Sequence, residues 1–150
     1  MTAEIWISQL QDNGYRITSA RRAVVNTVYG STHALTPIEV YDKARKKYRA
    51  LGLVTVYRTL EKLEELHLIQ RVHQPIGCQA FISAGVGHQH LLLCQNCGQV
   101  EFFDGDDLDS LTKNISKKTG YQIKEHWLQL FDLISRSEEH TSELQSPCNL

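Results

Sequence analysis

No stretch of this 150-residue chain approaches the roughly 18 consecutive apolar residues of a membrane span. The first residues, with Glu4 and Trp6 and no basic segment ahead of an apolar one, do not read as a signal peptide. The chain has no phosphate-binding glycine loop and no nucleophile triad pattern, so enzymes built on either device are excluded. A cytoplasmic protein with no membrane partner is the expectation. Cysteine is scarce, four residues in all, and two of them are spaced as Cys94-Gln-Asn-Cys97. In a reducing compartment that spacing reads as metal binding or redox chemistry rather than as a structural disulfide.

What is present is ordinary in amount: 41% hydrophobic and 22% charged residues, enough for one domain or two small ones. The net charge of −1 hides an asymmetry. Residues 1–75 hold eleven Lys/Arg against seven Asp/Glu, and residues 76–150 hold five against ten. A basic half joined to an acidic half suggests a polyanion bound at one end.

Along the first half, Ile5, Trp6, Ile7 and Leu10 predict a short helix over 3–12, stopped by Asn13-Gly14. Thr18 or Ser19 caps a second, with Ala20, Val24 and Val28 on one face and an end near Gly30. Thr36-Pro37 opens a third, with Ile38, Tyr41, Ala44 and Tyr48 turned inward. A fourth follows Gly52, where Leu53, Val56, Leu60 and Leu63 form the predicted buried stripe. Thr55, Arg58 and Lys62 fall on the opposite face, with Tyr57 on the flank. Segments 68–73 and 79–82, separated by Gln74-Pro75-Ile76-Gly77, read as a β-hairpin. Helices followed by a hairpin give the winged-helix pattern, in which the last helix enters the DNA major groove.

The second half opens on His88-Gln-His90-Leu-Leu-Leu-Cys94-Gln-Asn-Cys97-Gly98. Two residues between the cysteines form a tight knuckle that lets both sulfurs reach one tetrahedral ion, and Gly98 lets the backbone turn back. Strands are predicted at 91–94 and 99–103. A helix capped by Asp104 or Asp106 follows, with Leu108, Leu111 and Ile115 inside and an end at Gly120, then a last strand over 121–131. So small a β-β-α-β unit has open edges and little core, which dimerisation through a shared sheet would cure. The fold class is α+β: an N-terminal winged helix-turn-helix domain (1–84), a hinge (85–87) and a small α/β dimerisation and metal-binding domain (88–134). Residues 135–150 form a non-native or disordered tail. Within it, Arg-Ser-Glu-Glu-His-Thr-Ser-Glu-Leu-Gln-Ser over 136–146 matches one reading frame of a widely used sequencing-library adapter, which would replace the native C-terminus from near Asp132.

With Thr55-Val-Tyr57-Arg58-Thr-Leu60, a hairpin, and His-x-His-x3-Cys-x2-Cys-Gly in that order, residues 3–133 closely resemble the ferric uptake regulator family. The resemblance implies a homodimeric, metal-dependent transcriptional repressor of metal-homeostasis genes that binds a palindromic double-stranded operator. It is not an enzyme. DNA-contact candidates are Arg16, Arg21, Thr55, Tyr57, Arg58 and Lys62, with Arg58 suited to guanine or phosphate and Tyr57 to a thymine methyl or phosphate.

Three metal sites follow from the same resemblance. His88, His90, Asp109 and His126 match a domain-bridging site. Cys94 and Cys97 match half of a structural zinc site, but the second cysteine pair is missing: Phe131-Asp132-Leu133-Ile134 stands where it is approached, and Cys148 alone follows. Candidates for a sensing site are Glu65, His67, His73 and Cys78 along with His88 and His90, and His33 lies one residue out of register. Leu91 stands where a histidine is common. A thiolate at Cys78 favours Zn2+, one or more per subunit, over Fe2+ or Mn2+. The implied function is zinc-responsive repression. An iron or peroxide sensor of the same family is the alternative, and a dithiol redox enzyme a remote one, since Leu91-Leu92-Leu93 and Gly98 frame a strand–knuckle–strand rather than a helix N-terminus.

Overall fold

The computed structural model describes residues 2–74, 77–85, 89–105 and 108–132. Four helices come first: α1 Ala3–Asp12, α2 Ser19–Tyr29, α3 Pro37–Arg45 and α4 Leu53–Glu65. Local chemistry sets their ends. At the head of α2, Thr18 Oγ1 accepts the main-chain N–H of Arg21 at 3.2 Å. At α3 the exchange is reciprocal: Thr36 Oγ1 accepts from the N–H of Glu39, and Glu39 Oε2 accepts from the N–H of Thr36, with Pro37 in the first turn. α4 closes in a Schellman turn. The N–H of His67 donates to Glu64 and that of Leu68 to Leu63, both at 2.9 Å, while His67 takes the left-handed φ of 55°.

The four helices bury one core: Trp6, Ile7 and Leu10 from α1, Val24, Val25 and Val28 from α2, Val40 and Ala44 from α3, and Val56, Leu60 and Leu63 from α4. The predicted faces hold with local corrections. Ile38 and Leu53, expected inside, are exposed, while Val40 and Thr59 are buried. Thr59 can occupy a core position because its hydroxyl donates to the Thr55 carbonyl at 2.7 Å, which removes the cost of an unpaired buried polar group.

β1 Ile69–His73 and β2 Gln79–Ser83 form an antiparallel hairpin in which Arg71 faces Phe81 and His73 faces Gln79. The wing is held from two sides. Arg71 on β1 grips Glu64 on α4 through Nε (2.5 Å) and Nη2 (2.8 Å), and its Nη1 reaches Gln79 at 2.6 Å. From the α2–α3 connection, Leu35 exchanges two main-chain hydrogen bonds of 2.8 Å with Phe81.

The second part contains β3 His90–Cys94, β4 Val100–Phe103, α5 Leu108–Thr119 and β5 Gln129–Asp132. Its sheet runs β4-β3-β5, with β3 antiparallel to β4 and parallel to β5. Two expectations are corrected here. Among the described residues the last strand covers Gln129–Asp132, where the chain pairs with β3; residues 121–128 form no strand there, although the Leu128 carbonyl accepts from the N–H of Leu91 at 3.3 Å, and they expose Tyr121, Ile123 and Trp127. α5 buries none of its residues, and Leu111 and Ile115, expected inside, face outward because one chain offers them no second layer.

The two parts are packed, not merely tethered. The N–H of Ala34 donates to Gly98 (3.2 Å), and that of Val100 to Thr32 (3.4 Å). Ala34, Val72, Ala80 and Ile82 join Leu91, Leu93 and Val100 in one buried cluster drawn from both parts. Among the described residues, no helix is long and apolar enough to cross a membrane. Residues 86–88, which include most of the expected hinge, and the tail beyond 132 lie outside the described residues.

Candidate metal centre and nucleic-acid interface

β3 and β5 bring two histidines together. His90 opens β3 and is buried, with 2% of its surface exposed. His126 precedes β5, and its ring centroid lies 5.4 Å from that of His90 at an interplanar angle of 36°. A metal–nitrogen bond of about 2.0–2.1 Å and a tetrahedral angle at the ion separate two ligating ring centroids by about 5 Å. The pair has the spacing of two ligands on one divalent ion, a spacing that a tilted ring contact also has. Phe103 packs against the His90 ring at 5.6 Å. Gly105 lies so close that a Cβ there would sit 3.0 Å from His90 Cδ2, so glycine is what lets the 104–105 turn cover the imidazole. Asp104 in the same turn accepts from Gln89 Nε2 at 3.3 Å. Asp109 is exposed in the first turn of α5, and His88 lies outside the described residues.

The cysteine knuckle has the strand–turn–strand form. The N–H of Gly98 donates to the Cys94 carbonyl and that of Cys94 to the Gln99 carbonyl, both at 2.9 Å, and Gly98 has a φ of 75°. Cys94 and Cys97 are half-buried free thiols. Burial pushes the Cys94 thiol up, but the main-chain N–H groups of Cys97 and Asn96 and the Cys97 thiol together hold it below the ordinary range. Burial also pushes Cys97 up, and Cys94 beside it reinforces that rise. Cys94 is therefore the first of the pair to carry the thiolate. β5 ends beside this knuckle: Asp132 pairs with Cys94, and its carbonyl accepts from the N–H of Gln95 at 3.1 Å. Two thiolates fill half of a tetrahedral zinc shell.

The sensing candidates are dispersed. Glu65 and His67 precede β1 and His73 ends it, so a five-residue strand, spanning about 13 Å, keeps them from one ion. Glu65 accepts from Lys62 Nζ (2.9 Å) and from the Tyr15 hydroxyl (3.3 Å). The hydrogen bond with Lys62 is the main cause holding its carboxyl below the usual range, and Lys62 is raised in turn. His67 serves the helix cap. The His73 ring stands edge-on to Trp127 at 5.1 Å. Cys78 is half-buried just ahead of β2. His33 bridges to Gln99, just behind the knuckle. Among the described residues no group of three or more His, Cys, Asp or Glu side chains is poised around one point.

On α4 the exposed face is Val54, Tyr57, Arg58 and Glu61, with Thr55 half-buried. Val54, 63% exposed, was missed by the sequence reading. An apolar residue beside but off the helical stripe was the available signal. Lys62 is half-buried, ion-paired to Glu65 and 5.5 Å from the Tyr15 ring. Arg21 donates Nη1 to the Arg16 carbonyl at 2.5 Å and lies 6.0 Å from the same ring. Arg16 is exposed. The interface candidates thus divide into Val54, Tyr57, Arg58 and Arg16, which face outward, and Arg21 and Lys62, which also support the Tyr15 cluster.

Comparison with known proteins agrees with this architecture. The family described as "Ferric uptake regulator family" matches residues 12–131. The chain is similar to the ferric uptake regulation protein of Bacillus subtilis, 30% identical over 139 residues, covering 90% of this chain and 93% of the relative. It is also similar to that of Neisseria meningitidis, 29% identical over 133 residues, covering 86% and 90%. Among solved structures, the Helicobacter pylori ferric uptake regulator, described as having three functional metal binding sites, superposes with a TM-score of 0.72 over 95% of this chain and 97% of that one. At 23% identity that likeness speaks for the fold, a winged helix followed by a small α/β domain. A match this long, on a chain whose helices, wing and histidine–cysteine strand follow in the same order, means that this chain belongs to the ferric uptake regulator family, whose members are transcription regulators and not enzymes.

Proposed function

We propose that this chain is a metal-dependent transcriptional repressor of metal-homeostasis genes, acting as a homodimer on palindromic double-stranded DNA, with Zn2+ as its first-choice ion. One observation carries the reading. The outward face of α4 and the His90–His126 pair belong to two parts joined by a shared buried cluster, so an ion held at one is mechanically connected to the other. Arg58 would contact guanine or phosphate, Tyr57 and Val54 thymine methyls, and Thr55, Arg16, Arg21 and Lys62 the backbone. Metal would be held by His90 and His126 with His88 and Asp109, and at the knuckle by Cys94 and Cys97. Imidazole and thiolate donors together suit zinc. When bound, the ion supplies a fixed link between strands, and the chain's own residues set the posture of the wing.

Dimerisation is supported by apolar side chains that one chain leaves uncovered: Leu111 and Ile115 on α5, Leu130 and Phe131 on β5. A cytoplasmic setting and the boundaries 1–84, 85–87 and 88–134 belong to the same proposal. Elemental analysis of the purified chain beside its oligomeric mass, followed by selection of DNA from a random-sequence pool with zinc and with chelator, tests it. A zinc-loaded dimer that enriches a palindrome only with metal is the expected result. A metal-free monomer that enriches nothing overturns it.

A second reading is favoured by the His90–His126 pair itself. Two imidazoles completed by a carboxylate also accommodate Fe2+ or Mn2+. An iron or peroxide sensor would show oxidised His90 or His126 by mass spectrometry after ferrous iron and dilute peroxide.

A further inference from the structure

The exposed edge of the wing is held at His73 by a side chain from the other half of the protein. Gln129, the first residue of β5, donates Nε2–H to the main-chain carbonyl of His73 at 2.7 Å. Its Oε1 accepts the main-chain N–H of the same residue at 3.1 Å. The amide thus completes the ladder that β1 would otherwise offer to another strand, imitating a backbone partner in both directions. Beside it, Trp127 from the same segment packs edge-on to the His73 ring.

The position of Gln129 gives this contact its consequence. It lies opposite Leu91 in the parallel β3–β5 register, next to His90. Three residues earlier is His126, and three residues later Asp132 reaches Cys94. β5 is therefore fixed at its start by the histidine pair and at its end by the knuckle, and Gln129 sits between them. β1, at the far side of the amide, is tied to α4 by the Arg71–Glu64 grip. Contacts and short stretches of chain run in sequence from the histidine pair along 126–129 to Gln129, across to His73, back along β1 to Arg71, and from there to Glu64 on the helix that carries Tyr57 and Arg58.

We infer that Gln129 is a positioning residue for DNA binding: a latch that sets the wing and α4 relative to the β3–β5 sheet, so that an ion ordering His126 also orders the DNA-reading surface. The inference rests on the metal-dependent DNA-binding reading above. Both hydrogen bonds go to main-chain atoms, so the latch does not depend on the identity of the side chain at position 73. It depends on the two-sided chemistry of the amide, which a thioether of similar length lacks and a carboxylate retains only in part.

The test compares wild type with Q129M, which keeps the shape and loses both hydrogen bonds, and Q129E, which loses the donor. Amide hydrogen exchange at His73 is read in the metal-free full chain. DNA affinity is read with zinc and with chelator on a fragment selected by the wild type, and zinc affinity is read separately. The expected result for Q129M is exchange at His73 faster by about tenfold. The metal-induced gain in DNA affinity falls toward unity, while zinc affinity stays within about twofold because no donor has been removed. Q129E, which keeps an acceptor for the His73 N–H but loses the donor to its carbonyl, leaves His73 exchange closer to wild type and lowers the metal-induced gain. Unchanged His73 protection in Q129M, or an unchanged metal-induced gain in either variant, overturns the latch. If the wild type itself binds DNA equally with and without zinc, it is the repressor reading that fails, and the latch stands or falls on His73 exchange alone.

Discussion

His126 lies beside His90 where the chain enters β5, with ring centroids 5.4 Å apart, although the two stand 36 positions apart in the chain with α5 between them. Among the described residues the two imidazoles are metal candidates far apart in the chain that the fold brings into ring contact. A metal ion bound by the folded form alone stabilises it by mass action, by about 2.7 kcal/mol at one hundred times its dissociation constant. Zinc titrated into chelator-stripped protein should therefore raise the unfolding midpoint, and His126→Ala should remove most of that rise while leaving the stripped protein's midpoint nearly unchanged. Calorimetry of the two proteins with and without zinc checks this. An equal rise in the variant would place the ion elsewhere.

Arg58 and Glu61 both face outward from α4, but only Arg58 has chemistry suited to a base edge or phosphate. Arg58→Ala should cost about 1–3 kcal/mol of binding to a selected DNA site. Glu61→Gln should bind as tightly as wild type or slightly tighter, since it removes a negative charge from that face. Titrations at several salt concentrations separate the two roles of Arg58: a shallower slope marks a phosphate contact, and an unchanged slope with relaxed sequence preference marks a base contact.

His67 stood among the sensing candidates, yet its main chain occupies the left-handed position of the α4 cap with a φ of 55°. A side chain there strains the backbone, and glycine does not. His67→Gly should stabilise the protein by about 0.5–1 kcal/mol, the relief of strain being partly offset by the greater freedom of glycine in the unfolded chain. Its zinc response should be unaltered. Denaturant unfolding and a zinc titration settle the matter together, and a lost zinc response would return His67 to the ligand set.

The two knuckle thiols differ in the direction of their shifts. Cys94 is lowered, against its burial, by main-chain N–H groups, and Cys97 is raised by burial. In metal-free, reduced protein near neutral pH, Cys94 carries more thiolate and should be alkylated first; raising the pH brings Cys97 into reach and narrows the difference. Zinc should slow both. Peptide mapping after brief iodoacetamide treatment reads the order, and prior labelling of Cys97 would contradict it.

Much of this organisation was legible in the chain. Thr18, Thr36-Pro37 and Gly52 mark helix starts because capping is local chemistry, and the structure places helices directly after each. The knuckle was legible for the same reason. Burial depends on the partners of a face, and there the pattern misled at Ile38 and Leu53, which lie at the margins of their helical stripes. The length of the last strand was not legible either, because residues 121–128 have strand-forming side chains but no neighbouring strand. Nor could spacing reveal Gln129: its role depends on a main-chain edge 56 residues away in sequence. Glu65 and His67 are near His73 in sequence, and only the extended rise of β1 shows that they stand at its opposite end.

The most direct measurement is the dissociation constant for one selected DNA fragment, taken by fluorescence anisotropy on a single preparation of the full chain, first with saturating zinc and then after chelation, at fixed salt. A metal-coupled regulator should bind at least about tenfold more tightly with zinc, within the range ordinary for coupled sites. Equal constants in the two conditions would contradict the account, whatever ions the protein is found to hold.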